Sequence, residues 1–442
     1  MIKALAAKLD ARPEHKRIVT GMLAVAGLAG IARVVGAAKE IVVAARYGTG
    51  PEADAYVFLF NLLSWPAGVW ASVATAVLVP LLIKTDLATP QSGAVLRREI
   101  WGLTLGAGAL GALAAAAFVL ACQAGWIHAP AVPTALFAQT LPLVLILPLL
   151  MAFGVLAAFL MADGRYANTL IEAAPAAVII AALLTMRSGD LWPLVWATVA
   201  GLGLQVALAL LLQKPERRVL APAFGFSAPQ WRVLAASVGI VAAGQAITTA
   251  TSVLDQFAAA GLGPGGNAAL GYAGRLIGLA TSLGALAVAR AALPVFSKLG
   301  LEDPARQRRV AQDMSALLAL LGVAAAVIGW LLAPLGVELL FQRGAFTADD
   351  ARTVTEVFRL SLLQLPFFFS GMVLVQKLAS NGDYGAFLKI GLVNFTAKLV
   401  ALAVLVPLMG LGGVALSTAV MYAVGRVAIG RLAATSVPAR VV

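Results

Sequence analysis

Eight cationic side chains lie in stretches otherwise apolar enough to sit in a bilayer: Arg33, Lys39, Arg275, Arg290, Arg359, Lys377, Lys398 and Arg426. An intramembrane cation costs at least ~2.5–3.5 kcal/mol on insertion scales, so each needs a partner, a wet cavity or a path to the surface. Arginine can grip a phosphate through two parallel hydrogen bonds, most strongly where the dielectric is low. Arg33, Lys39 and Glu40 fall on the first predicted helix and Arg275 on the eighth, near the front of each half of the chain. They predict a basic cavity for an anionic headgroup. The competing reading is a set of buried ion pairs, such as Arg33 or Lys39 with Asp54; Glu172 and Asp255 are the other acids within reach. Lys377 and Arg426 sit near predicted inner ends and are expected to snorkel, as is Arg359 beside Glu356 at an outer end.

The elements that position these groups are helices. With 61% hydrophobic and 12% charged residues over 442 positions, the chain lies far outside the range of globular soluble proteins. Apolar runs long enough to span a bilayer recur along its length. They predict twelve spans, at 18–46, 53–83, 98–122, 131–161, 167–186, 191–213, 233–258, 267–297, 309–341, 353–380, 385–408 and 412–432. Pro66, Pro148 and Pro366 fall within spans and invite kinks.

The punctuation repeats. Pro148, Gly164 and Tyr166 recur 218 residues later as Pro366, Gly382 and Tyr384. Gly48-Thr49-Gly50-Pro51, followed by Pro80 and Lys84, is echoed by Gly261-Leu262-Gly263-Pro264, followed by Pro294 and Lys298. The expected fold class is therefore an all-α polytopic membrane protein of two pseudo-symmetric six-helix bundles. Residues 1–213 form the first lobe, 214–232 a cytoplasmic linker serving as hinge, and 233–442 the second lobe. Such duplication is common in transporters, where substrate binds between the halves.

Charge sets the orientation. Of the 32 basic residues, twenty fall on one side of the twelve spans and only four, Arg46, Arg187, Arg343 and Arg352, on the other. The positive-inside rule then puts both termini in the cytoplasm. The first apolar stretch continues past Arg33 and Lys39, so it reads as a span and not as a cleaved signal. The net charge of +12 follows from orientation and contact with anionic phospholipid, not from nucleic-acid binding. A single cysteine, Cys122, rules out an internal disulfide, and His15 and His128 fall in predicted loops.

Enzyme motifs fail. Gly261 to Gly266 formally reads G-x-G-x-x-G, but it follows a membrane helix and matches the turn at 48–51, so it reads as a loop. Walker, H-E-x-x-H and nucleophile-elbow patterns do not occur, so no catalytic residue and no cofactor is expected. The membrane potential or a monovalent ion would supply direction.

Family resemblance rests on several stretches. These are Ala32-Arg33-Val34-Val35-Gly36, Lys39-Glu40, Tyr47-Gly48 and Ala53-Asp54-Ala55-Tyr56 in the first half. In the second they are Asp255, Tyr272-Ala273-Gly274-Arg275-Leu276, Leu293-Pro294, Leu340-Phe341-Gln342-Arg343-Gly344-Ala345-Phe346-Thr347 and Asn381-Gly382-Asp383-Tyr384. In these the chain resembles the MurJ (MviN) lipid II flippases of the multidrug/oligosaccharidyl-lipid/polysaccharide exporter superfamily. The resemblance implies two six-helix bundles in a V around a cationic cavity. It implies undecaprenyl-diphosphate-linked sugar as substrate, and Arg33, Lys39, Asp54 and Arg275 as cavity charges, with Glu40 and Asp255 as pairing or gating acids.

Three departures stand out. The basic pair usual in the family's second helix is replaced by Ser64-Trp65-Pro66-Ala67-Gly68, and Arg290 is expected to compensate. Two further C-terminal helices common in the family are not in this sequence. The resemblance also implies a cation position at Asp255 and Asn394, but Lys398 follows one turn on and is expected to take the ion's place. Lipid II is the first substrate expected; an exopolysaccharide or O-antigen unit is the alternative in class, and a drug/cation antiporter the alternative of another class. Cell-wall or polysaccharide synthesis enzymes are the expected partners of a monomer in the bacterial inner membrane.

Overall fold

A computed structural model describes residues 13–88, 90–127, 133–165, 168–186, 189–381 and 383–436. Within the first half, α1 (Pro13–Tyr47) turns at Gly48 into α2 (Pro51–Val73). A π-helical stretch, Ala74–Leu78, joins α2 to α3 (Val79–Ala88). Then come α4 (Pro90–Gln123), α5 (Thr134–Thr140), a tight 3-10 stretch at Leu141–Leu145, α6 (Ile146–Ala162), α7 (Asn168–Ile171), α8 (Ala174–Thr185) and α9 (Trp192–Leu211). The second half comprises α10 (Trp231–Ala260), α11 (Gly266–Glu302), α12 (Pro304–Phe341), α13 (Ala348–Leu362), α14 (Leu365–Ser380), α15 (Tyr384–Met409) and α16 (Leu411–Thr435). No strand occurs among the described residues, so the all-α reading holds.

Helix accounts for most of the described part of each of the twelve expected spans, with breaks at 172–173 and 363–364. Seven of the described helices are long and apolar enough to cross a bilayer, or eight if the bent pair α13–α14 is one span. His15, expected in a loop, lies in the first turn of α1. The expected link at 84–98 is also helical: α3 runs to Ala88 and α4 starts at Pro90. His128 lies outside the described residues.

The repeat reappears in the breaks. Pro148 is the third residue of α6 and Pro366 the second of α14, each just after a change of helical path. At a helix start the missing proline N–H costs nothing, because that donor has no intrahelical acceptor. The preceding helices meet these prolines in the same way. A Cβ on Gly108 of α4 would stand 2.9 Å from the Pro148 Cα, and one on Gly322 of α12 2.6 Å from the Pro366 Cα. In a bilayer, where burial of apolar surface gives little drive, such backbone approach supplies the packing energy.

By contact the chain forms two units. One holds residues 1–42, 70–117 and 141–238; the other holds 43–69, 118–140 and 239–442. The grouping follows what each segment touches, while the duplication follows chain order. They differ at 43–69 and 118–140, which pack with the second half.

In the first unit, Leu82, Ile100, Val155, Phe159 and Leu160 form the centre of a buried apolar cluster. The linker is bound to this unit. Arg217 bridges Asp86 and Asp163 at 2.8 Å each, and the buried Arg97 contacts the same two carboxylates at 2.7 and 3.0 Å. The hydrogen bond to Asp163, with the nearby negative charges, holds the Arg217 pKa above its ordinary value. Further along, Glu99 accepts from the Ser227 and Ala228 amides at 2.8 and 3.2 Å and from the Trp231 indole N–H at 2.6 Å. Ala223 N donates to Arg98 O at 3.0 Å. Residues 214–231 are thus tied to α3, α4 and the turn after α6.

Candidate functional site

Several of the family-like stretches converge on one corner of the second unit. The α1–α2 turn needs a positive φ (58°) at Gly48, and the turn after α12 needs one (61°) at Gly344, both readily adopted only by glycine. These turns touch: Ala345 N donates to Ala45 O at 2.7 Å. Tyr272 of α11 packs its ring on Phe341 and Phe346, with centroids 5.2 and 5.6 Å away, and its hydroxyl donates to Gly48 O at 3.0 Å. Thr347 and Asp350 form a capping box that opens α13, and Thr49 donates to Asp350.

Asp54 belongs to this corner. It is fully buried on the first turn of α2 and accepts from the Ala268 amide at 2.7 Å, at the start of α11. The amides of Gly265 and Asn267 also face it. A carboxylate at a helix N-terminus satisfies orphan donors and complements the positive end of the helix dipole. Asp54 thus caps α11 from a neighbouring helix.

The embedded cations differ in what they touch. Lys377 and Arg426, expected to snorkel, are instead engaged inside the second unit. Lys377 is 2% exposed and donates to the Ala433 carbonyl, while Arg426 donates to Ser315 and Ser370 at 2.9 and 3.2 Å. Lys398 is fully buried, 2.6 Å from Asp255 Oδ1, and donates to Ser417 at 2.8 Å and Thr418 at 2.6 Å. Asn394, one turn earlier, has a buried Oδ1 without a hydrogen-bond partner. The Lys398 ammonium stands against the carboxylate that a cation would need. These residues therefore do not fit a resident ion at that place.

Arg33 and Arg275 are exposed, and Lys39 is half-buried with its ammonium 2.7 Å from Glu40. Arg33 and Lys39 belong to the first unit, Arg275 to the second. The Arg290 backbone is helical, but its side chain lies outside the described residues. Where the family carries its second-helix basic pair, Trp65 donates from its indole to Thr249 at 2.9 Å. Sequence reasoning missed the structural uses of Lys377 and Arg426. Its available signal was the serines at 315 and 370, one on each of two neighbouring spans.

A family model described as "Lipid II flippase MurJ" matches residues 43–437. The chain belongs to the MurJ lipid II flippase family. Among solved structures, it resembles a lipid II flippase MurJ in an inward closed conformation, with TM-score 0.78, 15% identity, and coverage of 93% of this chain and 88% of that one. An inward-facing multidrug-resistance MATE transporter of the MOP superfamily gives 0.71 and 15%, covering 91% and 94%. A MOP superfamily transporter from Pyrococcus furiosus gives 0.62 and 13%, covering 92% of each chain. At these identities the likeness concerns the fold. A comparison with curated protein sequences finds no significant match. As a MurJ-family member, the chain is a multi-pass membrane transporter for a polyprenyl-linked glycan and not an enzyme.

Proposed function

We infer that this MurJ-family protein moves an undecaprenyl-diphosphate-linked saccharide, lipid II in first place, from the inner to the outer leaflet by alternating access. The observation that carries this reading is the family match over residues 43–437. The division of the cations supports it. Lys377 and Lys398 are buried and Arg426 is half-buried against serines, whereas Arg33 and Arg275 are exposed and Lys39 is half-buried, so these last three are the candidates for the diphosphate. An exposed guanidinium well inside an apolar helix is stable only beside water or phosphate headgroups.

The protein would reside in the bacterial inner membrane as a monomer with both termini cytoplasmic, beside the enzymes that make and use its cargo. Arg290 would meet the diphosphate near the inner entrance and Arg275 would hold it later. The two lie 15 residues apart on α11, roughly 22 Å along the axis, too far for one diphosphate to span.

A second reading, a lipid-linked exopolysaccharide or O-antigen unit, is favoured by Trp65 standing where the family has a basic pair. Complementation separates them. Expression in cells depleted of their own lipid II flippase is expected to restore peptidoglycan synthesis. Failure there, with rescue of a polysaccharide-flippase mutant, selects the second reading.

A further inference from the structure

Two cavities of the second unit, which share Trp330 in their linings, make one groove. The first, of about 650 Å³, lies where the ends of α12 and α15 meet α13, and its lining includes Glu338, Arg352, Glu356, Arg359 and Met409 with Trp330. The second, of about 740 Å³, lies between α12, α14 and α16, lined by Val327, Leu331, Leu363, Phe367 and Val420, again with Trp330.

The chain order is consistent on every side. Along α12 Glu338 gives way to Val327, eleven residues or about 16 Å deeper. Along α13–α14 Arg352 and Glu356 give way to Phe367, and Met409 at the end of α15 is followed by Val420 on α16. The groove therefore begins charged, at the end remote from the basic 304–309 stretch, and ends apolar at membrane depth. Arg359 marks the boundary: its guanidinium lies 5.6 Å over the Trp330 ring, and its Nε donates to the Trp330 carbonyl at 3.0 Å. A tryptophan between an apolar and a polar zone is typical of the lipid interface.

The charges choose the occupant. Arg352 is paired with Asp349, and Arg359 with the Trp330 carbonyl. Glu338 and Glu356 have no side-chain partner among the described residues. Two unpaired carboxylates repel a diphosphate or a net-anionic headgroup. They suit a head that ends in a primary ammonium, whose N–H groups donate to both, while its phosphate turns to the guanidinium of Arg359. We propose that this groove binds a zwitterionic phospholipid of the phosphatidylethanolamine type, with an acyl chain along Val327, Phe367 and Val420 and the headgroup among Glu338, Glu356 and Arg359. The site is distinct from the route of the transported lipid, whose head has the opposite charge requirement.

Native mass spectrometry of the purified full chain tests this with added phosphatidylethanolamine, phosphatidylcholine, phosphatidylglycerol and undecaprenyl diphosphate. The ethanolamine lipid is expected to be retained about tenfold better than the glycerol lipid, as two charge-assisted contacts allow. Glu338→Gln with Glu356→Gln is expected to abolish that preference without changing the melting temperature, because both side chains are exposed. Val420→Trp is expected to lower retention of every diacyl lipid alike.

Equal retention of the two lipids by the wild type, or an undiminished preference in the glutamine variant, overturns the proposal. Competition by undecaprenyl diphosphate that depends on the same glutamates also overturns it, by assigning the groove to the cargo. Protection by phosphoethanolamine alone equal to that by the lipid overturns the lipid assignment.

Discussion

Lys398 shows how one side chain changes what a site can do. Its ammonium supplies the charge that Asp255 needs in a buried setting, and Ser417 and Thr418 complete its hydrogen bonds. Removing one partner of such a pair strands the other, at a cost of about 3–5 kcal/mol, whereas removing both costs far less. Lys398→Met is therefore expected to lower the melting temperature sharply, and Asp255→Asn added to it to recover most of the loss. Sodium is expected to stabilise the single variant but not the wild type, because only the variant leaves the carboxylate open. Equal sodium shifts in both would contradict the geometry.

Asp54 makes a second test at this scale. If it caps α11, Asp54→Ala costs about 2 kcal/mol of stability through stranded buried amides, measurable by thermal unfolding. A transport defect at unchanged stability would instead assign it to the cavity. The lysine's proximity to an acid followed from the family resemblance, which implies a cation position at Asp255 and Asn394, with Lys398 one turn on. The Asp54 contact was not, since Ala268 lies 214 residues away and offers only a backbone N–H.

At the scale of elements, the duplicated prolines were readable, but their partners were not. Glycine carries no pattern of its own among 43 glycines, so Gly108 and Gly322 stand out only when α4 and α12 are placed against Pro148 and Pro366. Gly322→Val is expected to force the α12–α14 contact apart at a cost of about 1–3 kcal/mol, with Gly336→Val as a control that meets open space. Equal melting temperatures for the two variants would show that the approach is not needed.

The linker teaches a related point. Its place between the halves suggested a hinge; its attachment to the first unit was not legible, because the acids that bind it, Asp86, Glu99 and Asp163, are scattered along the chain. Glu99→Ala removes charge-assisted bonds worth about 2 kcal/mol or more together, so proteolysis within 214–231 is expected to rise at least ~tenfold. Wild-type cleavage just as fast would mean that the strap is not held.

For the molecule as a whole, we propose that an excess of embedded cations would give transport its direction. Arg33 and Arg275, which are exposed, would carry the positive charge that a diphosphate neutralises. A ligand can shift the arrangement of a protein only through its different affinity for two states, and neutralising buried charge provides that difference. Return of the emptied, positive cavity would then be drawn by an inside-negative potential.

The most direct measurement is flipping of a fluorescent polyprenyl-diphosphate sugar by the protein reconstituted in vesicles, with and without an inside-negative potential and in sodium-free buffer. Flipping is expected without sodium, faster under the potential, and reduced about tenfold or more by Arg275→Ala, as loss of a charge-assisted phosphate contact implies. Potential-independent flipping that requires sodium would contradict the drive, and transport of an organic cation with no glycolipid movement would contradict the function itself.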